Sequence, residues 1–570
     1  VDRFRLQLAD PSAPRRFTWD DLTRALEPAL RGAAEDPSRP RQIEWRNLYA
    51  FDEPTSLLAE PGSVRWKTFG RPPIDADESR PPTASIGWGL SSPALSLSQG
   101  RRAITLTLGL RELDGATFAR GLGLDPGAYD AEALLARLQA ALKIEITTAE
   151  RWIEAPLLAA RLASGAPGDD YWSLLERPRA LAEDRPALQL RVVVAPTAGA
   201  ITALDGARWP TLRVALRHRW DADARAWLTR PAPFDSLILE ALHLRVDVDG
   251  LVDLRLQHEE RPLDPQRPFQ PFGARPAVGA RLYIGHPELT SPRLDALRFD
   301  VTWMGLPASL RAHYQNYPAI TGAADLGVRV SLVERGLQLA LGEAPLFREG
   351  PPPESTTAAE QRLEFADVGG ALAAASPGYS YKRSVAALDL PRDLRAAERC
   401  LLWELGPRDF GHGIYPTLAA QSARSLAIAL ARGEADADAI EAHRVDPPHT
   451  PTARRLSVGY EASLELRPAD ASGPGDAVDA EDRLLHIHPF GVSTIDRGAP
   501  RLLPRYETAG ELYIGLVDVD APQRLALLVV VADGTSDPDA EPPAVRWSIR
   551  DGERWLDLSD RVRHDSTRGL

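Results

Sequence analysis

The sequence predicts a β-dominated α+β protein of several domains, in which two related antiparallel β-sandwich domains are joined by helix-containing and Pro-rich connectors. Three observations lead to this prediction. The chain has 570 residues, more than the ~250–300 that one hydrophobic core supports. Several segments alternate apolar and polar residues, which is the period of a half-buried strand. One passage also occurs twice, as "RLYIGHPELTSPRLDALRFDVTW" from Arg281 to Trp303 and as "ELYIGLVDVDAPQRLALLVVVADG" from Glu511 to Gly534.

The repeated passage predicts a strand, a turn and a second strand in each copy. In the first copy, Tyr283 and Ile284 should point to opposite faces of a sheet, and Gly285 should mark the end of the strand. The second copy carries the same three residues at positions 513–515, and "PFG" precedes both copies. The copies are too far apart for a solenoid repeat, so we expect two related domains that superpose.

Composition shifts and Pro-rich runs predict five segments along the chain. In order, these are an N-terminal helix and loop region at 1–83, a hairpin-rich domain with one amphipathic helix at 84–264, the first sandwich at 265–392, a region of strand, helix and linker at 393–482, and the second sandwich at 483–570.

Two hairpins are predicted within 84–264. The segment from Ser92 to Leu110 alternates on both sides of "QG", and the segment from Leu242 to Gln257 alternates on both sides of Asp249-Gly250. Asp-Gly can adopt the positive φ angles of a type I′ turn. A calcium loop is excluded for the second segment, because the spacing of its Gly does not match an EF-hand.

Three helices are predicted. A Thr cap followed by acidic residues indicates the first, and a stripe of Leu134, Leu135, Leu138 and Leu142 indicates the second. The first runs from Thr18 to Ala34 and is interrupted by Pro28; the others run from Asp130 to Leu142 and from Thr417 to Ala431.

Composition excludes some classes of function. The net charge of −13 disfavours nucleic acid as a partner, and the longest apolar run is far shorter than the ~20 residues of a membrane helix. The single Cys400 excludes an intramolecular disulfide, and we expect it to be a buried residue on a strand. Because the chain opens on Val1 and stops abruptly, we expect a fragment of a longer protein.

Catalytic motifs are not recognisable in this sequence. It has no Walker loop, no G-x-S-x-G and no H-E-x-x-H. His486 and His488 lie two apart, so on a strand both would project from one face. They could supply two metal ligands, but no third ligand can be named, and a hydrogen-bonded strand pair is the favoured interpretation.

Aromatic residues are the other candidates. Trp and Tyr at strand boundaries usually pack in the core, and the alternative is a surface that binds a protein partner. Core packing is the favoured interpretation, and "HYQNYP" is a good candidate for the alternative, so we name a candidate partner interface. His412, between two glycines, is expected in a loop turn held by hydrogen bonds. The predicted interface residues are Tyr314, Asn316, Tyr317, Phe410, His412 and Tyr415.

Several stretches, taken in order, resemble one family. They are "QPFGARPAVGARLYIGHPEL", "VTWMGLPASLRAHYQNYP", "DFGHGIYPTLAAQSA", "PPHTPTARRLSVGYEAS", "LLHIHPFG" and the passage from Leu512 to Leu558. This succession is similar to the large J-like baseplate wedge proteins of extracellular contractile injection systems, of the antifeeding prophage and Photorhabdus virulence cassette type. The resemblance covers about 265–570, and the first 80 or so residues match nothing in it.

The resemblance implies a structural protein without a catalytic residue, metal or cofactor. Its implied partners are other baseplate wedge subunits, the central hub and spike proteins, and sheath or sheath-adaptor proteins. It implies no contact with nucleic acid and no direct insertion into a membrane. Assembly would take place in the bacterial cytoplasm, and the finished particle would be released or membrane-associated.

Two alternatives stay open at this point. Repeated β-domains with aromatic residues at their edges could stack on sugars, which would make the chain a receptor- or glycan-binding tail protein. A hydrolase of unrecognised type would need a pocket that holds a nucleophile, a base and a perturbed carboxylate.

Overall fold

The structure is a computed structural model that describes residues 43–47, 55–56, 85–111, 113–163, 186–204, 207–221, 226–229, 233–290, 294–334, 337–351, 356–370, 390–397, 399–433, 436–468, 482–488, 492–495, 500–504, 512–516, 524–527, 545–551 and 554–564. The helix predicted from Thr18 to Ala34 lies outside the described residues.

Strands dominate the described part of the chain. In chain order they are β1 Ile43–Asn47, β2 Thr55–Ser56, β3 Gly87–Ser91, β4 Arg101–Arg111, β5 Leu142–Thr147, β6 Trp152–Glu154, β7 Leu157–Ala163, β8 Ala187–Val194, β9 Thr211–Leu216, β10 His218–Asp221, β11 Ala226–Thr229, β12 Ile238–Leu251, β13 Arg255–His258, β14 Arg261–Leu263, β15 Arg281–Gly285, β16 Leu294–Met304, β17 Gly327–Glu334, β18 Leu337–Pro345, β19 Arg348–Glu349, β20 Thr357–Ala358, β21 Glu360–Phe365, β22 Arg399–Leu405, β23 Thr452–Leu466, β24 Arg483–Ile487, β25 Val492–Thr494, β26 Leu512–Leu516, β27 Ser548–Asp551 and β28 Arg554–Asp557.

Helices are fewer. The α-helices are α1 Gly115–Gly121, α2 Ala131–Ala141, α3 Leu310–His313, α4 Tyr415–Ala431 and α5 Ala437–His443, and the 3₁₀ helices are Pro93–Leu95, Pro287–Thr290, Ala323–Asp325, Leu394–Ala396 and Ser559–Arg561. The predicted helices at Asp130 and Thr417 are confirmed. Asp130 caps α2 by accepting a 2.8 Å hydrogen bond from the Ala133 N–H.

Three large antiparallel sheets organise these strands. One has seven strands in the order β21-β16-β23-β12-β4-β8-β7, and two have six, in the orders β14-β13-β15-β22-β17-β18 and β25-β24-β3-β9-β5-β6. Side chains from all three share one hydrophobic cluster. Phe299 of the seven-stranded sheet meets Trp403 of a six-stranded sheet edge-to-face, with 5.1 Å between ring centroids. The β-dominated α+β class is therefore confirmed.

The sheets do not follow the predicted segments. The seven-stranded sheet takes β4, β7, β8 and β12 from 84–264, β16 and β21 from 265–392, and β23 from 393–482. The boundaries between these three segments therefore do not coincide with breaks between sheets.

The predicted hairpin at Asp249-Gly250 is wrong. Strand β12 continues through both residues to Leu251, and Gly250, at φ 85°, lies in a bulge where the pairing with β23 shifts. The next strand, β13, belongs to the neighbouring six-stranded sheet. A Gly at positive φ suits a bulge as well as a turn. The alternation of apolar and polar residues continues into β13 because β12 and β13 each bury one face in the same core.

The predicted hairpin at "QG" is also wrong. Leu97 bridges to Ile201, whereas β4 pairs with β12 and β8. Gly100, at φ 75°, only turns the chain into β4.

The first copy of the repeated passage behaves as predicted at its start. Ile284 enters the main core, whereas Tyr283 packs on the other face of the sheet with Cys400 and Leu402. The burial of Cys400 on β22 is confirmed as well. The strand that follows, β16, lies in the other sheet, so the passage crosses from one layer to the next.

The second copy forms β26, which pairs with β1. The passage that follows it in this copy is described only at 524–527. The superposition of two related domains therefore stays a prediction.

Candidate interaction site

A short turn after strand β16 supplies most of the candidate side chains. Ser309 caps helix α3: its hydroxyl accepts a 3.2 Å hydrogen bond from the Ala312 N–H, and fully buried Leu310 anchors the helix. The helix is only one turn long. Four side chains at and just after its end contact one neighbouring segment: His313, Tyr314, Asn316 and Tyr317. We call residues 313–317 the clamp turn.

That neighbouring segment is residues 444–450, "RVDPPHT", which we call the strap. It connects helix α5 to strand β23 and lies outside any sheet. Two prolines deprive it of donors, and its carbonyl groups need partners from elsewhere.

The clamp turn provides those partners. Asn316 Nδ2 donates to the Arg444 carbonyl at 2.6 Å, and Tyr317 Oη donates to the Asp446 carbonyl at 2.6 Å. His313 Nε2 lies 3.0 Å from the Pro447 carbonyl, to which it donates, and the His449 N–H donates to Tyr314 Oη at 3.1 Å. These four hydrogen bonds join side chains of the clamp turn to the backbone of the strap, so they fix the path of the strap.

A second loop completes the cluster. Gly411 adopts φ 81°, and a Cβ there would lie 2.6 Å from Cε1 of Tyr317. This close approach places Phe410 in the core and His412 beside the strap, where His412 Nε2 lies 3.0 Å from Thr450 Oγ1. Tyr415 begins helix α4. His412 thus lies in a hydrogen-bonded loop turn, as the sequence predicted.

The structure brings the six predicted residues together, but not on an open surface. Tyr314 and Phe410 are 0% exposed and Tyr317 is 4% exposed, whereas Asn316, His412 and Tyr415 are half-buried. The prediction of a partner-facing surface is therefore wrong for the three buried aromatics. Their rings pack inside the chain, and the hydroxyl groups of Tyr314 and Tyr317 form hydrogen bonds to the strap.

Three imidazoles meet around the strap. Burial, together with the nearby His313 and His412, lowers the pKa of His449 to about 4. Burial also lowers the pKa of His313 and that of His412. In the described part of the chain, His412 Nδ1 and His449 Nε2 are buried without a hydrogen-bond partner, which disfavours protonation further.

The cluster has little reactive potential. Burial raises the pKa of Tyr317 to about 12 and raises that of Tyr314 as well, so both phenols keep their protons at neutral pH. The imidazoles stay neutral there. Neutral donors and acceptors suit the task of holding a strap, and neither phenol is prepared as a base or nucleophile.

His486 and His488 lie near each other, and each is hydrogen-bonded to a different partner. Their rings lie 6.2 Å apart on one side of the strand. His486 Nε2 is 2.9 Å from the Arg501 carbonyl, and His488 Nε2 is 2.8 Å from Ser493 Oγ. Among the residues that the structure describes, no group of three His, Cys, Asp or Glu side chains could hold a metal ion.

A helical hairpin next to the strap carries an exposed apolar surface that the sequence analysis missed. It consists of α4 and α5, which are joined by a hydrogen bond from Ser422 Oγ to the His443 carbonyl. Ala429 is the one buried residue of α4, while Leu430 is 61% exposed and Ile428 and Ile440 are also exposed. The composition of α4 could have indicated this surface, because the helix has one charged residue, Arg424, in 17 positions.

The sequence did not lead us to predict the strap either, although most of it overlaps "PPHTPTARRLSVGYEAS", one of the stretches that carry the family resemblance. The carbonyl groups of a segment that contains two adjacent prolines and lies outside a sheet need donors from elsewhere, and the donors in "HYQNYP" could have indicated that partner.

Comparison with protein-family models and with curated proteins finds no match for this chain. Within the described ranges, no helix combines the length and the apolarity needed to cross a membrane.

Proposed function

We propose that this chain is a structural, non-enzymatic subunit of the baseplate of a phage-tail-like contractile injection system. In this role it surrounds the central hub and spike as a wedge component and links them to the sheath. The proposal starts from the ordered series of sequence stretches that resembles J-like wedge proteins.

The observation that carries the proposal is where those stretches lie in the fold. "LYIG" is the core strand β15, "VTW" ends β16, and "RRLSVGYEAS" is most of β23 in the seven-stranded sheet. Their large side chains, among them Trp303, Val458 and Tyr460, are buried. These residues fill a core and pair strands, so much of the resemblance lies in the framework of the fold, which supports a structural role.

The helical hairpin supports a role in assembly. Exposed Ile428, Leu430 and Ile440 lie on two helices with few charges, which is typical of a surface that another protein covers. The aromatic residues that motivated a glycan-binding alternative are buried at the clamp turn, so no observation there favours it.

The proposal also includes a duplication of one β-sandwich domain within the chain. Both Leu-Tyr-Ile-Gly stretches form strands, β15 and β26, and a wedge built from two related sandwiches would have two arms of one design. A high-resolution density map of 485–570 tests this point. Superposition on 265–345 supports the duplication, and a different strand order contradicts it.

The experiment is co-purification of the tagged chain with particles from cells that produce them. We expect tube and sheath proteins to be recovered together with the chain in one high-molecular-weight fraction. The double variant Ile428→Glu/Leu430→Glu should fold but leave this fraction.

The matched control is Leu337→Glu, because Leu337 is 72% exposed at the start of the edge strand β18. This control should stay with the particle. Recovery of the wild-type chain as a free monomer from cells rich in particles would refute the proposal.

A further inference from the structure

An open cleft of about 490 Å³ lies between the β13–β14 turn and the loop that connects β14 to β15. The turn contributes His258 to Arg261, the loop contributes Phe272 to Arg275, and Arg395 closes one end. This cleft is separate from the strap cluster, although Thr450 Oγ1 donates to the Ala274 carbonyl at 3.2 Å and joins the two regions.

The walls of the cleft are fixed before any ligand arrives. Glu259 is held at φ 48°, an uncommon angle for a residue with a side chain. The loop wall is seated by buried Phe272 and by Gly273 at φ 77°, where a Cβ would lie 2.8 Å from His258 Nε2. A rigid wall lowers the entropy that binding would otherwise lose.

The segment that carries Arg395 forms the third wall of the cleft, and the buried side-chain amide of Gln257 ties it to the β13–β14 turn. Gln257 Nε2 donates to Asp393 Oδ1 at 2.8 Å, and Gln257 Oε1 accepts from the Leu394 N–H at 2.8 Å. This wall therefore cannot drift away from the turn without breaking two hydrogen bonds.

Charge in the cleft is unbalanced once the internal contacts are assigned. Glu259 accepts a 3.1 Å hydrogen bond from the Arg281 N–H, and Glu260 pairs with Arg395 at 3.1 Å. Among the described residues, neither Arg261 nor Arg275 has an ion pair or a side-chain hydrogen bond. Glu259 keeps its negative charge, because a backbone N–H does not neutralise a carboxylate. The two guanidinium groups of Arg261 and Arg275 therefore outnumber this one carboxylate in the cleft, in a protein whose net charge is −13.

The surroundings of the cleft favour carboxylates over phosphates. Phosphate sites commonly use a helix N-terminus, but the only helical start at this cleft, at Leu394, is already capped by Asp393, which accepts a 3.0 Å hydrogen bond from the Arg395 N–H. The cleft is open to solvent and does not enclose a small molecule, which suits a segment of a larger partner better than a small ligand. Arg pairs with carboxylates in a bidentate geometry.

We propose that this cleft binds an acidic peptide segment of a partner protein, with carboxylate groups of that segment pairing with Arg261 and Arg275. The inference does not depend on the baseplate proposal, because it concerns a binding groove that any acidic partner could use.

The test is fluorescence anisotropy with a labelled peptide of alternating Asp and Gly, measured on the full chain. A peptide of alternating Asn and Gly is the uncharged probe. The cleft variant is Arg261→Gln/Arg275→Gln, and the control is Arg137→Gln/Arg424→Gln. The control changes net charge equally at exposed helical positions that form no ion pair in the described part.

The proposal expects the Asp peptide to bind the wild type and the control equally, and to bind the cleft variant at least about tenfold more weakly. The charge-reversed variant Arg261→Glu/Arg275→Glu should bind a Lys-Gly peptide instead. Equal weakening in the control would show non-specific attraction and overturn the proposal. Displacement of the peptide by inorganic phosphate at a similar concentration would also overturn it, by assigning the cleft to phosphate.

Discussion

Tyr317 and Asp446 are joined across 129 positions of the chain by a 2.6 Å hydrogen bond from the phenol to the backbone carbonyl. This bond ties the clamp turn to the strap, and through the strap it ties the helical hairpin to strand β23. The strap thus sets the position at which the exposed apolar surface of the hairpin is presented.

Removing the Tyr317 hydroxyl should loosen this tie. Tyr317→Phe leaves the Asp446 carbonyl without its donor, and we expect a loss of about 1–2 kcal/mol in the free energy of unfolding. Urea denaturation measures the change. Tyr415→Phe is the matched control, because Tyr415 belongs to the same cluster and forms no hydrogen bond through its hydroxyl among the described residues. Equal losses in the two variants would refute a specific role for the bond.

Gly411 should tolerate no side chain. Its φ of 81° and the 2.6 Å approach to Tyr317 predict that Gly411→Ala lowers the free energy of unfolding by about 2–3 kcal/mol. The control is Gly413→Ala, two residues further on, where a Cβ would meet nothing within 4 Å. Thermal unfolding of the two variants compares them directly, and a Gly411→Ala protein as stable as the control would contradict the packing described.

Acid should weaken the strap through His449. Its pKa is lowered to about 4 in the folded chain and lies near 6.5 when unfolded, so between these values only the unfolded state binds the proton. The contribution of neutral His449 is therefore complete above about pH 6.5 and is lost as the pH falls towards 4. We expect a loss on the order of 3 kcal/mol over that window.

The variant His449→Gln isolates this effect. Because Gln does not titrate, its free energy of unfolding, measured by denaturant titration at each pH, should fall less between pH 7 and pH 4 than that of the wild type. Parallel curves for the two proteins would show that His449 does not carry the pH dependence.

The fold depends on a buried arginine that no catalytic or binding role explains. Arg102 is 0% exposed, and its guanidinium donates to the carbonyls of Ala195, Ala198 and Gly199 at 2.7–3.0 Å. Arg102→Met removes these bonds at once, and we expect a loss of about 3 kcal/mol. Arg101→Met, at the exposed neighbouring position, should change stability by less than about 0.5 kcal/mol in the same denaturation experiment.

Local patterns predicted single elements well. Helix α2 was predicted from the stripe of Leu134, Leu135, Leu138 and Leu142, of which all but half-buried Leu135 are buried. The alternation in β12 was likewise found, because burial of one face needs only the local period. These predictions succeeded where the deciding interactions lie within a few residues of each other.

Predictions that depend on distant partners failed. At Gly250, the choice between a turn and a bulge is decided by Val458 on β23, which pairs with Leu251. The exposure of Tyr314 is decided in the same way by the strap more than a hundred positions later. A single sequence carries no record of such pairings, so the six candidate residues could be grouped but their burial could not be predicted.

The central claim, that this chain is a baseplate wedge component, is tested most directly by cryo-electron microscopy of intact contractile particles carrying a tagged form of the chain. The account predicts tag density in a symmetric ring at the base of the tube, around the hub and beneath the sheath. Density confined to the distal ends of the tail fibres, or particles that lack the chain and keep a complete baseplate, would contradict it.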